Sequence, residues 1–301
     1  MGARHLLEVD DLSAEELLGL VTATGPQRHG SPLKDRGVAL LFGLPSARTR
    51  NAAEMAVVSL GGHPVTVRAE EVGIDTRETA EDVARTLACY HAALAARVKD
   101  HSVLERFVEA IDGQGWNVPV LNLLSDRSHP TEAVADLSVL HRHWGGFDGR
   151  RLGWVGDGNN VLRSVAIACS MVKLELAIST PPGFELDAET LSRCEELGGR
   201  VEVCATPEQA AAQADAIYTD VWVSMGQEEE KASRLELFEA WRVTERLFSN
   251  ATSDALFLHC LPAHRGQEVD EEVLEGPRSV VWEQAAARRE AIAGMLALML
   301  A

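Results

Sequence analysis

The sequence lacks several features that would place it in a specialised class of protein. Its five cysteines are scattered with no CxxC pair, so neither a zinc site nor a disulfide framework is predicted. No apolar run approaches membrane-spanning length, and the first residues lack the apolar core of a signal peptide. We therefore expect a cytoplasmic protein with reduced thiols and no membrane partner.

Basic residues are scarce as well. The 301 residues include 28 lysines and arginines against 46 aspartates and glutamates, a formal net charge of −18. Such a surface repels polyanions, so no nucleic-acid partner is expected. Any anionic ligand must be held by a local cluster of cations that acts against the overall field.

What the sequence does contain is a regular alternation of short apolar runs with longer segments of helical spacing. This rhythm is typical of an α/β protein, in which helices cover both faces of a parallel sheet. Strands are predicted near 37–43, 64–68, 93–97, 118–122, 151–156, 174–179, 200–204, 215–219, 255–259 and 279–282. Helices are predicted near 14–21, 47–60, 79–89, 102–112, 130–144, 160–171, 187–197, 206–213, 233–240 and 283–300. A composition break near 145–150 and the length of the chain indicate two such domains.

Polar clusters follow several of the predicted strands, where ligands of parallel sheets bind. They cover 46–50, 97–101, 125–132, 156–160, and 219–226 together with 259–266. The first combines a helix start with two hydroxyls and two guanidiniums, which favours an anionic ligand, phosphate above all. A plain helix cap, with Ser46 as the N-cap, is the alternative for this segment taken alone.

Five motifs in these clusters resemble those of the transcarbamoylases in order and spacing. They are Ser-x-Arg-Thr-Arg at 46–50, His-Pro-Thr-Glu at 129–132, Gly-Asp-Gly-Asn-Asn at 156–160, Asp-x-Trp-x-Ser-Met-Gly at 220–226 and His-Cys-Leu-Pro-Ala-His-Arg-Gly at 259–266. The last three are similar to the ornithine carbamoyltransferase branch. The resemblance runs from about residue 37 to the final helix. It implies two α/β domains: a carbamoyl phosphate-binding domain, 1–145, joined by the C-terminal helix 283–301, and an ornithine-binding domain, 146–282.

The resemblance implies an enzyme that transfers the carbamoyl group of carbamoyl phosphate to the δ-amine of L-ornithine, giving citrulline and phosphate. It needs no metal and no cofactor, and its members are homotrimers. Phosphate would be cradled by a group of residues at a helix start, and the rest of carbamoyl phosphate by residues from later loops. The first group is Ser46, Ala47, Arg48 and Thr49; the second is Arg97, His129, Pro130, Thr131, Glu132, Cys260, Leu261 and Arg288.

The same resemblance assigns the ornithine-binding residues. Asn160 and Asp220 would bind the amino-acid end, and Ser224 and Met225 would belong to a flap that closes on ornithine. Asp220 with Cys260 is the candidate pair for orienting the reacting amine and accepting its proton, because an alkyl ammonium is rarely neutral at pH 7. Arg97, His129, Asp220 and Cys260 are therefore the predicted catalytic residues.

Some positions depart from the family pattern. Leu44 stands where lysine is usual, Ala47 where threonine is commonest, and Ala286-Ala287 where a polar pair is usual; Gly73 lies where some relatives place a glutamine near the neighbouring subunit's site. Glu132 replaces a glutamine, and its carboxylate would repel phosphate unless it is protonated or paired with an arginine such as Arg97 or Arg127.

Three alternatives remain open at this stage. Transfer to a related amine is one, and a catalytically silent binding or regulatory paralogue is another, because the departures cluster at the carbamoyl phosphate end. A dinucleotide-dependent dehydrogenase would use Gly156-x-Gly158, but Val161 stands at the third glycine position of that fingerprint.

Overall fold

The computed structural model describes residues 2–23, 30–223 and 231–301. Two compact units divide the chain: Met1–Ser138 with Ala286–Ala301, and Val139–Ala285. Each contains one parallel sheet, so the predicted α/β class with two parallel sheets is confirmed. The division falls inside two helices, Pro130–Trp144 and Val281–Met299.

The sheet of the first unit has four parallel strands in the order β2-β1-β3-β4. The strands are β1 (Gly37–Phe42), β2 (His63–Arg68), β3 (Ala93–Arg97) and β4 (Val120–Leu124). The residues of β3 are all buried, as expected for a strand covered on both faces, whereas β2 lies at the edge and is only partly buried. Because β2 and β3 flank β1 on opposite sides, the loops after β1 and β3 diverge and leave a crevice at this topological switch point.

The helices of this unit are α1 to α6, which alternate with the strands along the chain, and the final helix, α13. They are α1 (Ala14–Thr22), α2 (Ala47–Ser59), α3 (Ala69–Val72), α4 (Ala80–Ala88), α5 (Ser102–Asp112), α6 (Pro130–Trp144) and α13 (Val281–Met299). Ser46 caps α2, since its hydroxyl accepts a hydrogen bond from the backbone N–H of Thr49 at 3.2 Å. The apolar faces of α4 and α5 pack in one core with β1 and β3 around Phe107.

The sheet of the second unit has five parallel strands in the order β7-β6-β5-β8-β9. The strands are β5 (Arg151–Val155), β6 (Glu175–Ser179), β7 (Val201–Val203), β8 (Ala216–Thr219) and β9 (Leu256–His259). Its switch point lies between β5 and β8, so the loops that follow these two strands diverge around a common crevice within this unit.

Among the described residues of the second unit, six further segments are α-helices. They are α7 (Asn160–Val172), α8 (Ala188–Glu196), α9 (Pro207–Ala211), α10 (Lys231–Phe238), α11 (Glu245–Phe248) and α12 (Glu271–Leu274). The loop from β5 to α7 passes very close to the chain at Phe184. A Cβ atom on Gly158 would lie 2.4 Å from the carbonyl oxygen of Phe184, so this position requires glycine.

One predicted strand is wrong. The β-branched run at 279–282 forms only an isolated bridge between Ser279 and Phe257, with the backbone N–H of Val280 donating to the Phe257 carbonyl at 3.0 Å. Helix α13 then begins at Val281. In the local sequence the buried valines fit a strand or a helix equally well. Tertiary packing determines that the segment from Val281 is helical. Helices α3, α11 and α12 were not predicted, since four-residue helices leave almost no periodicity.

Within the described residues, no helix is both long enough and apolar enough to cross a membrane.

Candidate active site

The first unit gathers cationic groups at its switch point. Arg97 ends β3, and Thr49 lies in the first turn of α2, directly after β1. Nη1 of Arg97 donates to the Thr49 hydroxyl at 3.3 Å, and Nη2 of Arg288 donates to the same oxygen at 3.3 Å. All three side chains are buried. Two guanidiniums therefore converge beside a helix N-terminus, an arrangement that favours an anion with several oxygens.

A carboxylate lies within this cationic cluster. Nη1 of Arg288 forms a short hydrogen bond and ion pair with Oε2 of Glu132, which is 2% exposed. Glu132 is in the first turn of α6 and lies 156 residues from Arg288 in the sequence. The sequence analysis named Arg97 and Arg127 as examples of a compensating arginine, and the arginine that pairs with Glu132 is Arg288. Arg127 bonds to Glu8 at 2.7 Å.

His129 precedes α6 and completes the cluster. Its Nε2 lies 3.4 Å from Nη2 of Arg288 and 3.3 Å from Oε2 of Glu132. Burial, followed by the charges of Arg288 and Arg97, lowers the pKa of His129 well below its ordinary value of 6.5. The imidazole is therefore neutral at physiological pH. A neutral imidazole can donate a hydrogen bond to a carbonyl oxygen, and it adds no charge to the site.

The other predicted residues of this unit have different surroundings. Ala47 and Arg48 are exposed on the first turn of α2, and Ser46 is partly buried. Pro130 and Thr131 begin α6 and are buried, with the Thr131 hydroxyl 3.5 Å from the carbonyl oxygen of Leu123. The buried contacts therefore join Thr49, Arg97, His129, Glu132 and Arg288, while the Arg48 guanidinium lies at the surface.

The second unit places an acidic network at its own switch point. Asp220, directly after β8, is 5% exposed and accepts three hydrogen bonds. Their donors are Nδ2 of Asn159 at 2.7 Å, the backbone N–H of Val221 at 2.7 Å and Sγ of Cys260 at 2.8 Å. These bonds fix the carboxylate in one orientation, so it offers a rigid acceptor for an amine.

Asn159 is a residue that the sequence reasoning missed. Its side-chain oxygen caps α7 by accepting from the backbone N–H groups of Val161 at 2.9 Å and Leu162 at 3.1 Å, which leaves the amide nitrogen for Asp220. We had selected the neighbouring Asn160, which begins α7. The capping preference of asparagine before an apolar helix was the available signal.

The loop after β9 holds Cys260 in place. Nδ1 of His259 accepts from the backbone N–H of Leu261 at 2.9 Å, and the backbone N–H of His259 donates to Gln284 at 2.9 Å. Nε2 of His259 lies 3.4 Å from the fully buried Glu268. Leu261 adopts a positive φ of 58° and is followed by a cis peptide bond to Pro262.

Ligand-type atoms of Asp220, His259 and Cys260 lie within 4.8 Å of one another. Three such residues could hold a metal ion in principle. However, Nδ1 of His259 is already occupied as an acceptor from the chain, and the thiol and the carboxylate are bonded to each other. Nδ1 of His259, the Cys260 thiol and the Asp220 carboxylate are thus used within the hydrogen-bond network, and we assign no metal to this group.

A buried ion pair supports the loop before α7. Nη2 of Arg234 makes a short hydrogen bond to Asp157, and its Nε donates to the Trp222 carbonyl at 2.6 Å. The Arg234 guanidinium also lies 4.4 Å from the ring centre of Phe184. Burial raises the pKa of Asp157 to about 6, against the opposing effect of Arg234; the charge of Asp220 adds to the increase. Two further predicted residues, Ser224 and Met225, lie outside the described residues.

Comparison with known proteins finds family matches for both parts of the chain. The family model "Aspartate/ornithine carbamoyltransferase, carbamoyl-P binding domain" matches residues 4–142, and "Aspartate/ornithine carbamoyltransferase, Asp/Orn binding domain" matches residues 148–299. The chain is 38% identical to ornithine carbamoyltransferase of Archaeoglobus fulgidus, over 99% of this chain and 97% of that protein. It is 42% identical to that of Thermus thermophilus, over 95% and 92% respectively.

Among solved structures, ornithine carbamoyltransferase from Pyrococcus furiosus is similar to this chain with a TM-score of 0.90 and 38% identity. The match covers 99% of this chain and 97% of that one. Because both family models match and the relatives are similar over nearly their full length, this chain belongs to the aspartate/ornithine carbamoyltransferase family.

Proposed function

We propose that this protein is an ornithine carbamoyltransferase, which converts carbamoyl phosphate and L-ornithine into L-citrulline and phosphate in arginine metabolism. The observation that carries the choice of acceptor is the network around Asp220 and Cys260. Asp220 is a fixed carboxylate with a thiol at 2.8 Å, and its charge suits an acceptor that carries amines. An aspartate-using member of the family would need added cations at this place to match a dicarboxylate.

We propose that carbamoyl phosphate binds to the first unit. Its phosphate carries about two negative charges at neutral pH. Arg97 and Arg288 are the buried cations for it, and the first turn of α2, with Ser46, Ala47, Arg48 and Thr49, supplies N–H groups, hydroxyls and a further guanidinium. Such contacts hold the phosphate in place and stabilise it as it leaves.

His129 has the protonation state that carbonyl polarisation requires. A neutral imidazole donates one N–H to the carbonyl oxygen, where negative charge develops in the tetrahedral intermediate. An imidazolium would also bind the ground-state phosphate strongly, which would not favour the transition state selectively. Burial, together with the two arginines, lowers the pKa of His129 and so keeps the imidazole in the form that this step uses.

The δ-amine of ornithine must lose a proton to become a nucleophile. We propose that Asp220 orients the ammonium group and, with Cys260, assists the removal of its proton. The neutral nitrogen then attacks the carbonyl carbon and forms the C–N bond. The C–O bond to phosphate breaks as the leaving phosphate takes the second proton from that nitrogen. Asn160 would bind the amino-acid end of ornithine. Ser224, Met225 and Leu261 are assigned to substrate contacts by resemblance to the family.

We also propose that the protein is cytoplasmic and that it assembles as a homotrimer, as the family resemblance implies. Multi-angle light scattering at micromolar concentration should give three times the 32.6 kDa chain mass. A monomer at that concentration would argue against sites that are shared between subunits.

The test of the function is a citrulline assay with carbamoyl phosphate and a panel of amines: ornithine, putrescine, acetylated ornithine and lysine. We expect turnover with ornithine to exceed that with every other amine. Preference for another amine would reassign the acceptor. Binding of carbamoyl phosphate without turnover of any amine would identify a silent paralogue. The ion pair between Glu132 and Arg288 is the structural observation behind this alternative.

A further inference from the structure

The buried carboxylate of Glu132 faces the place where the proposed function puts a dianion. We propose that Glu132 takes up a proton from solvent when carbamoyl phosphate binds, and that this proton uptake releases Arg288 from Glu132 to the phosphate. The inference rests on the proposed function, because it concerns the charge balance of the same site.

The first support is burial. Glu132 and Arg288 are 2% and 5% exposed, so solvent screens their charges little. Arg288 donates Nη1 to Glu132 and Nη2 to Thr49. A phosphate that binds Arg288 must therefore either share the guanidinium with Glu132 or replace it. In both cases an ionised carboxylate would lie next to phosphate oxygens at low dielectric.

The second support is the charge count of the buried cluster. Arg97 and Arg288 contribute two positive charges, Glu132 contributes one negative charge, and His129 contributes none because its pKa is lowered well below 6.5. The cluster thus carries one net positive charge against about two negative charges on the ligand. Protonation of Glu132 removes its negative charge, so the two positive charges of the arginines then match the charge of the ligand.

The described groups that face Glu132 come from several elements. From α13 the facing group is Arg288, from β3 it is Arg97, and α2 presents the uncharged hydroxyl of Thr49. On the helix of Glu132 itself, Asp136 is buried one turn further along. The Arg48 guanidinium, which we assign to the phosphate, is exposed, so solvent and salt weaken the positive charge that it adds.

Linkage gives the direction of the effect. If the complex binds one proton more than the free protein, affinity for carbamoyl phosphate must fall as the pH rises, by up to roughly tenfold per pH unit. The ion pair with Arg288 favours the ionised carboxylate of Glu132 in the free protein, and the proposal makes this carboxyl group neutral in the complex. The expected uptake then approaches one proton per site.

Isothermal titration calorimetry measures this uptake directly. Freshly dissolved carbamoyl phosphate is titrated into the protein in buffers that differ in ionisation enthalpy, at several pH values between about 6 and 9, a range that extends above the second ionisation of a phosphate monoester. Inorganic phosphate serves as a stable second probe. The variants are Glu132→Gln and, as a matched control for loss of one carboxylate, Glu109→Gln on the exposed face of α5.

We expect the wild type and Glu109→Gln to take up nearly one proton per site and to bind more weakly as the pH rises. Glu132→Gln should lose that uptake and bind more tightly at alkaline pH. Equal uptake in Glu132→Gln and the wild type would assign the proton elsewhere, for example to Asp136, and would overturn the proposal. Weaker binding by a folded Glu132→Gln at every pH would overturn it too, since the carboxylate would then be needed in its charged form.

A second measurement does not depend on the variant. Infrared difference spectra of the wild type, with and without ligand, should show a new carboxylic acid C=O band on binding; its absence would contradict the inference even if Glu132→Gln failed to fold. The outcome is separable from the proposed function. Citrulline formation without proton uptake overturns only the inference, whereas no binding of carbamoyl phosphate to any form overturns both.

Discussion

Replacing Asn159 with alanine should weaken both the acceptor site and the start of α7. The loss of activity and the loss of stability can be measured separately. The side chain accepts two backbone N–H groups at the start of α7 and donates to Asp220 at 2.7 Å. Loss of an N-cap costs about 1 kcal/mol of unfolding free energy. Loss of a hydrogen bond to a charged group costs about 1.5–3 kcal/mol, which corresponds to roughly a ten- to hundred-fold fall in kcat/KM for ornithine.

Asn159→Asp separates the two effects. The aspartate retains a cap oxygen for the start of α7, but it puts a second carboxylate beside Asp220 in place of a donor. We expect its thermal stability to exceed that of Asn159→Ala, because the cap and the favourable charge at a helix N-terminus remain. Its kcat/KM should be at least as low, since two adjacent carboxylates raise each other's pKa and one would be protonated more easily.

The assays are thermal unfolding and steady-state kinetics with each substrate varied in turn. The KM for carbamoyl phosphate should change little in both variants, because Asn159 contacts residues of the second unit. If Asn159→Asp kept wild-type kcat/KM for ornithine, the donor to Asp220 would have no role in acceptor binding, and our reasoning about this network would be refuted.

Three more predictions concern single residues. Arg48→Ala should abolish measurable activity by removing a guanidinium that the resemblance assigns to phosphate, whereas Arg50→Ala should retain activity; near-normal affinity of Arg48→Ala for carbamoyl phosphate would mean that the phosphate contacts are misassigned. Cys260→Ala should lower kcat/KM for ornithine by about tenfold, because one hydrogen bond to Asp220 is lost. Cys260→Ser keeps a donor at this position and should lose less activity. Equal losses in the two variants would contradict this prediction. The pKa of Asp157 is raised from its ordinary value of 3.8 to about 6, so its contribution to stability is full below pH 3.8 and is lost as the pH rises through about 6, a change of about 3 kcal/mol. Urea unfolding as a function of pH should show a smaller decline over that range in Asp157→Asn.

The sequence was informative wherever the structure depends on local pattern. Nine parallel strands lie within a few residues of their predicted positions, because apolar runs and turn residues carry that information locally. The motif at 46–50 was placed correctly at a helix start, since Ser46 is a standard cap. The error at 279–282 arose where one buried run satisfies two patterns.

Contacts between distant residues could not be predicted in the same way. Nothing in the sequence near Glu132 indicates that its partner is 156 residues away, and we considered two other arginines instead. The neutral state of His129 likewise depends on burial and on two guanidiniums from different elements. Such features depend on tertiary packing, which periodicity and spacing do not encode.

The return of α13 to the first unit has a consequence for the order in which the protein is made. The second unit, Val139–Ala285, is one continuous piece of chain, whereas the first unit includes Ala286–Ala301. During synthesis the ribosome therefore releases the whole second unit before the last segment of the first. Until that segment emerges, Glu132 lacks its arginine partner, and the apolar surface that packs around Ile292 and Leu296 is uncovered. A stalled nascent chain without this last segment would keep Arg97 but lack Arg288 at the anion site, and it would expose an apolar face of the kind that chaperones bind.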